Sequence, residues 1–142
     1  MVSVEELMAG CLHLTQQELE DYAWERFVPV RDYLEARHSI KEANDMVFDT
    51  LATICAIDGV ITESEFEILR MIHGFSYAEQ KDVEKKAKKY NNKKAMEKTL
   101  LFCANLPYDE KLSFVCLAIA ILAVDTRYTD RELALLKTML GY

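Results

Sequence analysis

Apolar residues recur along this chain at intervals of three and four, and that spacing predicts helices almost throughout. Ala43, Val47, Leu51 and Ile54 mark one face of a long helix running from Ile40 to near Asp58. Gly59 can take the left-handed conformation that closes it, and Thr62 then caps a helix with Phe66, Leu69 and Ile72 on its inner face. Gly74 ends that helix, and Ser76 opens another in which Val83, Ala87 and Tyr90 face inward, up to the break at Asn91-Asn92. Ala95, Met96, Leu100 and Cys103 define the next helix, which stops at Leu106-Pro107. Leu112 to Val124 is hydrophobic almost all round, the pattern of a helix enclosed by others, and Leu133, Leu136 and Leu140 give the last one.

Before this body, Thr15 with Glu18 forms a capping-box signature for a helix from about Gln16 toward His38, which Pro29 is expected to kink or split. Leu19, Ala23, Phe27, Val30, Tyr33 and Leu34 trace its apolar stripe, and Trp24 adds a large anchor. Such a stripe either covers the chain's own core or forms a homodimer through this N-terminal helix. The expected organisation is an N-terminal kinked helical extension, residues 1–39, followed by a helical domain, residues 40–142.

Two stretches repeat the same pattern sixty-seven positions apart: Ala52 to Glu65 and Ile119 to Glu132. In each, an apolar helix runs into an Asp, a short turn follows, and Thr-x-x-Glu opens another helix. The fold class expected is therefore all-α: a bundle of about six to seven helices built on two pseudo-repeated helical hairpins.

Composition adds boundaries to this picture. The 142 residues, 51% apolar with only 4 Gly and 2 Pro, suit one hydrophobic core. The longest apolar run, Phe114 to Val124, falls short of the ~20 residues of a membrane span. Glu5 and Glu6 stand where a secretion signal would carry positive charge, which argues for a cytoplasmic chain. Cys11, Cys55, Cys103 and Cys116 show no Cys-x-x-Cys pairing, and His13, His38 and His73 sit at no ligand spacing from them, so reduced core thiols are expected rather than a zinc site.

Asp58 and Asp125 each lie at the C-terminal end of an apolar helix, where the backbone dipole disfavours an acid. One explanation is local: Asp side chains accept turn amides, Thr62-Glu65 and Thr129-Glu132 form capping boxes, and Glu63 and Asp130 occupy favourable first turns. The other is that the repeats gather Asp58, Glu63, Glu65, Asp125, Asp130 and Glu132 into an oxygen-rich site for Ca2+ or Mg2+. The spacing is too short for an EF-hand loop. Both explanations stay open on sequence grounds.

Between Glu79 and Lys98, eight lysines face four acids, a local charge of +4 in a chain whose net charge is −7. Lys81, Lys85, Lys86, Lys88, Lys89, Lys93 and Lys94 form a face that is either simply solvated or able to meet an anionic surface or acidic partner. Nucleic acid is not expected, because the cluster contains no arginine and only Tyr90 to stack on a base. No nucleophile stands beside a plausible base, and no phosphate-cradling glycine loop or His-Glu-x-x-His occurs, so no catalytic residues and no organic cofactor site are expected. A metal-dependent hydrolase built on the carboxylates would lack the histidines that such sites usually add.

Ala56-Ile57-Asp58-Gly59-Val60-Ile61-Thr62-Glu63-Ser64-Glu65 and its echo, Ala123 to Glu132, resemble the tellurite-resistance TerB family and the related N-terminal domain of DnaJ-like co-chaperones. The resemblance spans roughly residues 40–142, and departs from the family pattern at Thr126, where a glycine is expected. It implies a non-catalytic bacterial interaction or regulatory module, linked to tellurite and envelope or chemical stress. Protein partners within a membrane-associated stress complex are implied, as is metal binding at acids matching the six named above. The alternative is a purely structural oligomerisation domain without metal.

Overall fold

The apolar stripes become seven helices among the residues that the structure, a computed structural model, describes: 3–58, 61–73, 90–125 and 128–141. They are α1 (Val4–Cys11), α2 (Gln16–Glu35), α3 (Ile40–Cys55), α4 (Glu63–His73), α5 (Lys93–Ala104), α6 (Tyr108–Ala123) and α7 (Asp130–Met139). No strand occurs among the described residues, and none of their helices is long and apolar enough to cross a membrane. The helix foreseen from Ser76, with its inner residues Val83 and Ala87, lies outside the described residues; Tyr90, at its end, is buried.

α6 is the centre, because every residue from Phe114 to Ala123 is buried and the helix must therefore be covered on all sides. Its most extensive neighbour is α2, and α1, α3, α4 and α7 also pack on it. α5 reaches it through an edge-on contact of Phe102 with Phe114, ring centres 5.1 Å apart. Val4, Met8 and Cys11 of α1 and Leu19, Ala23, Phe27, Val30 and Leu34 of α2 join the same core as α3 to α7, so the hydrophobic interior runs unbroken across position 39.

Local chemistry sets the helix ends. The side chains of Ser3, Thr15, Ser39 and Asn92 accept backbone amides three residues ahead, supplying partners for donors that the first helical turn leaves open. Gly141 closes the last helix at φ +90°, a conformation that costs a residue with a side chain far more.

Two features differ from the sequence reading. α1 is a helix of eight residues that the apolar spacing did not reveal. α2 runs through Pro29 as one helix instead of splitting there. Pro29 deprives the Glu25 carbonyl of its helical donor, but both residues are on the exposed side, where water replaces the lost N–H, while Phe27 and Val30 on the other side are locked into the core.

Because Leu117 and Ile119 are fully buried in the middle of α6, truncating either to alanine should cost about 2–5 kcal/mol of unfolding free energy. Leu101→Ala, at a position 62% exposed on α5, should change stability by no more than about 0.5 kcal/mol. Urea unfolding of the three variants measures the contrast.

Candidate functional site

The repeated turns begin where two apolar helices stop. α3 ends at Cys55 and tightens into a 3-10 turn over Ala56–Asp58. α6 ends at Ala123, and the amides of Val124 and Asp125 bond back to the carbonyls of Ile121 and Leu122, 3.4 Å each, so the second turn is tightened likewise.

Each turn feeds a capping box. Thr62 Oγ1 accepts the Glu65 amide at 3.2 Å while Glu65 Oε1 accepts the Thr62 amide at 2.9 Å. Thr129 and Glu132 repeat this pair at 3.2 and 2.8 Å. The two glutamates are nevertheless buried, 2% and 6% exposed. A carboxylate is rarely enclosed to that degree, and each is held by the amide it caps.

The turns also meet each other. The Thr62 hydroxyl donates its proton to the Asp125 carboxylate, 3.1 Å from Oδ1 and 3.3 Å from Oδ2, across 63 positions of chain. That one hydroxyl therefore caps α4 as an acceptor and bridges to the other repeat as a donor. Around it, burial pushes the Glu65 carboxyl up to about 8, and the charges of Asp125 and Glu132 add to the effect against the lowering influence of the Thr62 amide. The Cys55 thiol, fully enclosed and hydrogen-bonded to Glu65, is driven well above its usual range by burial and by the same carboxylates. Tyr128 ties the second turn to the N-terminus by donating to the Met8 carbonyl at 3.0 Å.

Of the six acids singled out in the sequence, Glu65, Asp125 and Glu132 thus influence one another within one partly buried region. Glu63 and Asp130 stand exposed in the first turns of α4 and α7. Asp58 closes the 3-10 turn, and its side chain lies outside the described residues. Of the lysine face, Lys81 to Lys89 lie outside the described residues, whereas Lys93 and Lys94 are exposed at the start of α5. All four cysteines are free and buried, and His13 and His38 are exposed. Cys55 was not foreseen as part of the acidic region; its position three residues before Asp58 was the available signal.

The donor chemistry of the junction, carboxylate and hydroxyl oxygen, is the kind that hard divalent cations accept. Burial and mutual repulsion on Glu65 are what a cation would relieve. Among the described residues, no three His, Cys, Asp or Glu side chains converge closely enough to hold a metal by themselves. A cation at this junction would therefore draw its remaining ligands from main-chain carbonyls or water, as calcium commonly does. No protein-family model, curated protein or solved structure matches the chain.

The Glu65 shift sets a direction for stability. In the unfolded chain Glu65 ionises near 4.5, and in the folded protein near 8, so the folded state holds one more proton between those values. Raising the pH through that window should therefore lower stability, by up to about 1.4 kcal/mol per pH unit, with no further loss from this group above it. Glu65→Gln, which keeps an acceptor for the Thr62 amide, should flatten this part of the profile. Urea unfolding in metal-free buffer from pH 5 to about pH 9 reads both outcomes.

Proposed function

We propose that this chain is a non-catalytic helical interaction module of TerB-like type, acting through protein partners in a bacterial response to tellurite and to envelope or chemical stress. In this reading, calcium or magnesium is taken up at the junction of the two acidic turns and stiffens the relation between the two hairpins. The observation that carries it is the Thr62–Asp125 bridge, which brings the repeats' polar turns together with Glu65 and Glu132 buried beside them. Two capping boxes alone would have satisfied the helix ends without any such meeting.

The residues assigned to the cation are Asp125, Glu65 and Glu132, with Asp58, Glu63 and Asp130 of the repeat completing the acidic set. The ion would supply positive charge to a region where ionised Glu65 is disfavoured, and so favour its deprotonated form. Partner binding would then depend on the cation, because hairpin geometry and ion occupancy share one equilibrium. No reaction is assigned, since the site offers no nucleophile activated by a base: its one thiol, Cys55, is enclosed and resists ionisation.

A passive oligomerisation domain is the competing account, and Trp24, 42% exposed on α2 with Arg31 packed over its ring, is the feature that favours it. Calorimetric titration of the metal-free protein separates the two. The cation reading predicts saturable heat with calcium or magnesium at a Kd of about 10⁻⁵ to 10⁻³ M, weakened at least about tenfold by Asp125→Asn. No heat at millimolar concentrations of either ion would leave the passive scaffold as the better account.

A further inference from the structure

A second polar region lies away from the acidic turns, in a cleft of about 280 Å3 between α3 and α5. Its volume is near the lower end for small-molecule sites, which run from about 300 Å3 upward. The floor is built from Thr50 and Thr53 of α3 and Thr99 of α5, only 7%, 3% and 1% exposed. Threonine is a poor choice for a buried helical position, being β-branched and polar, yet three of them meet here where alanine or valine would pack without a hydroxyl.

What these hydroxyls can do is fixed by their own helices. Thr50 donates to the Met46 carbonyl at 2.7 Å, Thr53 to that of Asp49 at 2.9 Å and Thr99 to that of Ala95 at 3.0 Å. Each hydroxyl has a single proton, so toward the cleft all three are acceptors only. The α3 wall continues the pattern: the Asp49 carboxylate lines the cleft and accepts the Tyr90 hydroxyl at 3.2 Å. This side is built for a group that donates hydrogen bonds and carries positive charge.

The opposite rim has the reverse character. Lys94 and Lys98, one turn apart on α5 and exposed, line this side of the cleft. None of the ion pairs formed among the described residues involves either lysine. The first turn of α5 contains no acid and begins with Lys93 and Lys94, the sign of charge that a helix N-terminus disfavours. An anionic group seated at that rim would satisfy the lysines and the helix dipole together.

We infer that this cleft binds a small zwitterion: a primary ammonium group against Asp49 and the threonine floor, with its carboxylate or phosphate held by Lys94 and Lys98. The ligand is a free small molecule, since the cleft holds only about 280 Å3 and its threonine acceptors are buried. Asp49 sets the polarity of the site, because a simple anion would meet a carboxylate and three acceptor oxygens there.

Titration of the isotope-labelled full chain, followed by amide chemical shifts, tests this with β-alanine and phosphoethanolamine as probes. Ethanolamine and inorganic phosphate serve as the separate halves. At least one zwitterion should shift the amides of residues 49–53 and 92–99 saturably and bind about tenfold or more tighter than either half. Asp49→Asn and Lys98→Gln should each weaken it about tenfold, while Glu25→Gln on α2 leaves it unchanged. No saturable shift up to about 20 mM, shifts confined elsewhere, or phosphate alone binding as well as the zwitterion would overturn the assignment. So would binding to phosphatidylethanolamine vesicles with none to the free compounds, which would make the occupant a lipid headgroup.

Discussion

One hydroxyl group joins the two acidic turns of this protein. Thr62 receives the Glu65 amide and gives its proton to Asp125, so the cap of one hairpin and the bend of the other are fixed by the same atom. A hydrogen bond to a charged group is worth more than one between neutral groups, about 1.5–3 kcal/mol, and it gains further where water is scarce. With Thr62 committed on both sides, the start of α4 is tied to the turn that ends α6. The remaining helices then close on α6, whose unbroken apolar surface tolerates no open side.

The same arrangement carries an electrostatic cost. Glu65 and Glu132 are enclosed beside Asp125, and each relies on a backbone amide to offset what burial takes away. Holding Glu65 protonated to about pH 8 is one way to lower that cost, and binding a cation is the other. Cys55 adjusts in the same direction, remaining an uncharged donor to the carboxyl beside it.

Helices α2 to α7 were readable in the chain because caps and apolar spacing are local signals: Thr15, Thr62 and Thr129 each stand where the sequence put the helix start. α1 escaped because eight residues show barely two turns of periodicity, although Ser3 followed by Glu5 and Glu6 has the chemistry of a helix start. Pro29 does not split α2, because the core grips Phe27 and Val30 on either side of it, a constraint that rules for isolated helices ignore. The repeat offers neighbouring acidic turns as one of two readings, but which atoms touch depends on packing over 63 positions, beyond any local rule. Nor does the sequence alone show that Glu65 and Glu132 are buried while Glu63 and Asp130 face water; a rotation of two residues around a helix start decides it. The Thr50, Thr53 and Thr99 cleft was invisible for the same reason, because its two walls come from helices far apart in the chain.

The most direct test of the joined turns is a double-mutant cycle between Thr62→Val and Asp125→Ala, read as unfolding free energies in urea. The single changes differ in what else they disturb, Thr62→Val also removing the α4 cap, but the cycle cancels those separate effects. A bridge as described should give a coupling energy of about 1–2 kcal/mol, the double variant losing less than the sum of the singles. Additivity within about 0.3 kcal/mol would mean that the two repeats fold beside each other without this contact holding them together.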